Sequence, residues 1–203
     1  MDKVHITLQK GQKLFFSSDP HFGHNNILRF CHRPFQDMKQ MCESLINNWN
    51  SVVSNEDICF ILGDVMWWES RHDAKRVLEK LNGKEIHIIP GNHDKIKTFE
   101  LLSERFIIHD SIVTVWINEH DKKGVNELFL CHFPMATWPH FEKASIHLFG
   151  HIHSGPLSEN AVDVPGQDLI LKTGRCYDVG VDNNNFFPIE IRDVYNKLGV
   201  EWK

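Results

Sequence analysis

The sequence has no apolar run long enough to cross a bilayer, which argues against a membrane-spanning segment. Its five cysteines (Cys31, Cys42, Cys59, Cys131 and Cys176) are odd in number and scattered, with no CxxC pair. Neither a disulfide framework nor a thiolate zinc site fits that spacing, so buried free thiols are expected. Basic residues are in the minority, 22 Lys and Arg against 27 Asp and Glu, for a formal net charge of -5. A dedicated nucleic-acid binder would carry a basic stripe, so long nucleic acid is not the expected partner. The opening residues, Met1 to His5, lack the basic-then-apolar layout of a secretion signal, and a cytoplasmic location is expected. There is no internal repeat, low-complexity segment or linker. Residues 1–203 therefore read as a single domain, with an ordinary 41% of hydrophobic and 24% of charged residues.

What the chain does have is histidine, 14 in all. Imidazole is a frequent metal ligand and the usual proton shuttle near neutral pH, so the surplus matters where several converge. The coarse pattern is that of an α/β protein. Val4, Ile6 and Leu8 alternate with polar residues as in a half-buried strand, and residues 10–13 read as a hairpin turn before a second strand, 14–18. Asp37 opens a helix with Met38, Met41, Leu45, Trp49 and Val52 on one face. Residues 58–62 form an apolar strand of the kind buried on both sides. Ser70 caps a further helix, with Asp73 as the acidic member of a capping box. The strand 86–89 follows. This alternation predicts βαβ units and parallel pairing. In the second half, 112–117, 127–131, 145–149, 169–171 and 177–181 are strand candidates. Residues 154–168 read as a surface loop, and 188–198 as a terminal helix.

Five of these strands run directly into metal-ligand chemistry: Asp19-x-His21, Gly63-Asp64, Gly91-Asn92-His93-Asp94, His132, and Gly150-His151-x-His153. Strand ends gathered at one sheet edge would cluster imidazoles, carboxylates and an amide oxygen, a set suited to Mn, Fe or Zn. The donors are too many for one ion. Two ions about 3.5–4 Å apart with a bridging carboxylate account for them.

This ordered set resembles the calcineurin-like metallophosphoesterase superfamily, over Asp19 to His153. The resemblance implies a four-layer α/β/β/α sandwich with mixed sheets. It implies that Asp19, His21 and His153 hold one metal, that Asn92, His132 and His151 hold the other, and that Asp64 bridges them. It further implies two divalent ions, Mn foremost, with Fe, Zn or Ni admissible. A bridging hydroxide would attack a small or nucleotide-type phosphomonoester or phosphodiester, with His93 protonating the leaving oxygen and Asp94 accepting the other ring N–H of His93.

Other residues leave alternatives open. His24 can contact substrate, while Asn25 or Asn26 can cap a helix; Arg33 can bind phosphate or lie on the surface. His87 and His147, inside strands, read as core, and His5, His72, His109, His120 and His140 as solvated or structural. Cys131 beside His132 points to the opposite face and reads as core, although a thiol hydrolase would need it. Phe22, Trp67, Trp68, Phe133, Trp138, Phe141, Phe186 and Phe187 fall in loops, where they can stack a ring or close the core. Val65-Met66-Trp67-Trp68 is less polar than the family pattern after Gly-Asp, and the segment 177–187 has no assigned role. The competing function is a non-catalytic metal-binding scaffold with the same fold. No membrane partner is expected, and oligomeric state is not legible.

Overall fold

Phe15 and Phe16 are neighbours in sequence, and both are buried. A strand sends successive side chains to opposite faces, so the strand that carries them must be covered on both sides. The computed structural model describes residues 1–67, 70–120, 123–154 and 172–203. In it, strand β2 (Leu14–Ser17) lies parallel to β3 (Ile58–Ile61), which continues in parallel to β4 (Glu85–Ile88) and β5 (Phe106–Ile108). Strand β10 (Ile189–Glu190) closes the other edge, antiparallel to β2. A second sheet has the order β1 (Asp2–Leu8), β6 (Ile112–Glu119), β7 (Val125–Cys131), β8 (Ile146–Phe149), β9 (Cys176–Asp178). Among the described residues, only the β6–β7 pair in it is antiparallel. The chain is thus an α/β protein with two mixed sheets.

Alternation sorts the core. Phe16, Phe60 and Leu62 join Val115, Leu128, Leu130 and Leu148 in one apolar cluster shared by both sheets. Phe15, Cys59, Ile61, Ile86 and Ile88 turn the other way, against α2 (Met38–Val52) and α3 (Arg71–Leu78). On the outer face of the second sheet, Phe129, Cys131 and Phe149 pack with Trp138. The short α1 (Ile27–Phe30) and the last helix α4 (Ile191–Leu198) complete the helices among the described residues; α4 feeds Ile191, Val194 and Tyr195 into the shared core.

Local chemistry sets the helix starts. The Asp37 carboxylate accepts the Gln40 N–H at 2.8 Å, and the Ser70 hydroxyl accepts the Asp73 N–H at 3.3 Å. The capping box at Ser70 is only half made, because the Asp73 carboxylate takes the Arg76 guanidinium at 2.8 Å. Val52, expected on the buried face of α2, is exposed at the last turn.

Two readings of the sequence are corrected. The turn at residues 10–13 exists, closed by Gln12 N–H to the Gln9 carbonyl at 3.0 Å. It makes no hairpin, however: β1 pairs with β6 in one sheet and β2 with β3 in the other. The half-exposed pattern of β1 suits the edge it occupies, and β2 needs cover on both faces. The helix expected from 188 begins at Ile191, since Ile189 and Glu190 first pair with β2. β5 had no separate expectation. The strand candidate 169–171, nearly all of the loop 154–168, and Trp68 lie outside the described residues. No described helix is long and apolar enough to cross a membrane.

His147 is fully buried, with Nδ1 3.0 Å from the Phe129 carbonyl and Nε2 accepting the Met135 N–H at 3.2 Å. Burial pushes this imidazole down to about 4. The unfolded chain therefore takes up protons that the native state refuses, between the ordinary histidine value and about 4. We expect urea-unfolding stability to fall as pH drops from about 6.5 to about 4, with His147 contributing on the order of 3 kcal/mol of the loss. His147→Gln should flatten that slope; an unchanged slope would refute the assignment.

Candidate metal centre

β2, β3 and β4 run parallel, so the residues after each emerge at one edge. β7 and β8 run parallel in the other sheet and deliver their ends to the same place. Short backbone links hold the edges together. Asp19 N–H donates to the Gly63 carbonyl at 3.0 Å, and Gly150 N–H to the His132 carbonyl at 2.9 Å. His132 Nδ1 sits 2.7 Å from the Leu62 carbonyl. The approach is close enough that a Cβ on Gly150 would fall on Ser18 Oγ and Asp19 Oδ2, and one on Gly91 on Asp64 Oδ1.

The turns after the strands are strained. Asp19, His21, Asp64, His151 and His153 all hold φ between +48° and +72°, half of the ten described non-glycine residues in that region. Each such residue costs roughly 1–2 kcal/mol in the left-handed region, and clusters of them mark functional sites.

Two triads result, Asp19–His21–His153 and Asp64–His132–His151, each with ligand atoms within 4.8 Å of one another. Asp64 Oδ2 stands 3.5 Å from His21 Nε2 and 3.5 Å from His132 Nε2, between the two groups. Asn92 Oδ1 lies 3.2 Å from His132 Nε2. All seven residues expected as ligands are therefore in one cluster. Asp19 Oδ1 and His21 Nε2 are buried without a hydrogen-bond partner among the described residues, an expensive condition for polar atoms. Cys31 forms a further group with His153 and Asp182, and in it Asp182 is already hydrogen-bonded to His153 Nδ1 at 2.7 Å.

The electrostatics follow from burying carboxylates. Burial would raise the Asp64 carboxyl, yet the hydrogen bond and charge of His132 hold it well below the carboxylate range. In return Asp64 lifts the His132 imidazole against its burial to about 9. Burial would likewise depress His153, but the Asp19 and Asp182 carboxylates bring it up to about 11. His21 goes the other way, driven well below its ordinary value by burial and the Arg33 charge.

Over 189 residues, 92% of this chain and 91% of the relative, 33% of positions match an uncharacterized protein of Methanocaldococcus jannaschii. The chain belongs to that protein's family. Gene 66 protein of Mycobacterium phage L5 is 24% identical over 162 residues, 69% of the chain and 77% of the phage protein. The crystal structure of a protein of unknown function from Aquifex aeolicus matches the fold with a TM-score of 0.67. That match covers 92% of this chain and 100% of the Aquifex chain at 24% identity. No family model matches.

Within this family member, two sequence expectations change. Arg33 does not lie on the surface, and its guanidinium N–H groups are already engaged within the protein. It is buried and forks onto Asp182, Nε to Oδ1 and Nη2 to Oδ2 both at 2.8 Å, and also donates to the Asp19 carbonyl at 2.7 Å. The Asp94 carboxylate accepts the N–H groups of Gly91 and Val65, both at 2.9 Å, so it clamps two loops rather than the His93 ring. His24 is buried, with Nδ1 3.2 Å from His21 Nδ1, which leaves His21 Nε2 facing Asp64. His93 lies half exposed beside the cluster, Nε2 3.9 Å from Asp64 Oδ2. Cys131 is core, its thiol raised by burial, as read from the strand. His87 is buried too, Nδ1 2.8 Å from His109 Nε2.

Two acidic residues escaped the sequence reading. Asp182 accepts from His153 Nδ1 at 2.7 Å, and Asp178 accepts the Ser154 N–H at 3.1 Å, fixing the backbone after His153. Their signal was the Asp-x-Gly-x-Asp pattern, 178–182, inside the segment left without a role. Arg33→Ala would strand the buried Asp182 carboxylate. We expect a loss of roughly 3–5 kcal/mol in chemical denaturation, and Arg33→Lys should recover only part of it.

Proposed function

We propose that the chain is a phosphoesterase of the calcineurin-like type that works with two divalent cations, Mn foremost. The observation that carries the reading is Asp64 Oδ2 midway between two ligand groups, 3.5 Å from an imidazole nitrogen of each. The donors fit such a pair: carboxylate oxygens, imidazoles and an amide oxygen, with two buried polar atoms otherwise unpartnered. Asp19, His21 and His153 would hold one cation, Asn92, His132 and His151 the other, and Asp64 both. Cations so placed ionise water near neutral pH and offset the charge on phosphate oxygens.

The protein's own groups supply orientation and a proton. Asp182 fixes the His153 ring through Nδ1, the Leu62 carbonyl fixes His132, and His24 fixes His21. His93 N–H is tied to Asp64 Oδ1 at 3.0 Å, and its half-exposed ring borders His21 and Trp67. From there His93 would protonate the departing oxygen. The architecture we infer is the four-layer sandwich: two sheets share a core, α2 and α3 cover one, and the segment around Trp138 covers the other. The substrate class is a small phosphoester, mono or di, and five free buried thiols fit a cytoplasmic setting.

Metal analysis after dialysis against Mn should find two ions per chain, and Asp64→Asn should weaken both. His93→Ala should keep both ions and lose about 10²–10⁴-fold in turnover of bis(4-nitrophenyl) phosphate or 4-nitrophenyl phosphate. Two retained ions with no turnover of any ester would leave the scaffold reading in place. No retained ion would end both.

A further inference from the structure

His24 and Trp67 lie face to face, ring centroids 3.9 Å apart and planes 8° from parallel. His24 is buried, whereas Trp67 is 47% exposed. One indole face is therefore covered by a ring that is itself seated on His21. The backbone is pinned as well, since Trp67 N–H donates to the Phe22 carbonyl at 2.9 Å. The indole walls a cavity of about 390 Å³ that reaches His21, Asp64, His151 and His153. It also walls a second, of about 260 Å³, that holds Asn92 and Lys95. His93 borders both cavities, its ring centroid 5.1 Å from the indole. Phe30, 49% exposed, adds a further ring to the larger one.

A single exposed aromatic residue needs no explanation. This one is stacked on a buried ring, with its backbone hydrogen-bonded, at the mouth of the clustered ligands and beside the imidazole that would meet the leaving group. A ring locked in place loses little freedom when another ring stacks on it, so the gain from stacking is kept. Among the described residues the larger cavity has no Lys or Arg in its wall, and beside Trp67 it offers Ile27 and Phe30 as apolar surface.

We propose that Trp67 is the stacking platform for a planar aromatic ring carried by the phosphoester. The inference rests on the phosphoesterase reading for the ester but not for the ring. Stacking of one base on one aromatic side chain is worth roughly 5- to 150-fold in affinity.

Calorimetric titration of the Mn-loaded protein tests it, with adenosine 5′-methyl phosphate, phenyl methyl phosphate and cyclohexyl methyl phosphate as probes. The two ring-bearing esters should bind at least fivefold tighter than the cyclohexyl ester. The tighter of them tells a nucleobase from a simple aryl group. Trp67→Leu, which keeps apolar area without the ring, should bring the ratio close to one, and Trp67→Phe should retain most of it. Equal binding of all three esters, a preference that survives Trp67→Leu, or no binding at all would overturn the platform. Hydrolysis of bis(4-nitrophenyl) phosphate in the same preparation is scored separately. A ring preference without hydrolysis would uphold the platform while the phosphoesterase reading fell.

Discussion

The Asp19 carboxylate, just past β2 in one sheet, accepts the backbone N–H of His151, just past β8 in the other, at 2.9 Å. That contact decides where the two strand edges meet. Asp64 does the same within its own sheet, taking the His93 N–H at 3.0 Å. Each carboxylate thereby spends one oxygen on backbone and turns the other toward imidazoles. The left-handed turns at Asp19, Asp64 and His151 are what let the same residue do both. The hydrogen bonds help hold those turns against their strain.

Buried carboxylates demand compensation, and the molecule supplies it at graded distances from the cluster. Closest in are the imidazoles of His132 and His153, pulled upward in proton affinity. One step out, Arg33 and Asp182 form a buried pair that steadies His153 from behind and reaches the Asp19 carbonyl. Asp178 lies further back, buried and raised to about 6 by burial and by Asp19, with the Ser154 hydroxyl and the backbone N–H groups of Ser154 and Gly180 as its partners. Asp94 is alike, raised to about 6 by burial first and then by the Asp64 charge. Acids whose charge goes unmatched by a cation are satisfied by backbone N–H groups and, at Asp178, by a hydroxyl as well.

What could be read from sequence divides along a physical line. Strand ends were legible because an apolar run broken by Gly and followed by His or Asp carries both its structure and its chemistry locally. All seven expected ligands accordingly fall in the cluster. The parallel order of β2, β3 and β4 followed from helices between strands. The sheet that β1 would choose was not legible, because its partner β6 lies more than a hundred residues away and no local signal names it. Arg33 looked like a surface or phosphate-binding residue because its partner Asp182 is 149 positions distant. Asp94 was misassigned for another reason: a carboxylate beside a histidine reads as its partner, and only the turn geometry shows it bonding backbone instead.

Each sheet is completed by a strand from the far end of the chain. β1 joins the sheet otherwise made after residue 111, and β10 joins the one otherwise made before residue 109. The two halves are cross-threaded, so neither fragment of a cut near residue 110 would own a whole sheet. During synthesis the first half must wait with an open edge until residues 189–190 emerge, and β1 must wait for β6. Completion of both sheets is therefore late and rests on contacts far apart in sequence, with β1 and β10 each fastening the sheet built by the other half of the chain.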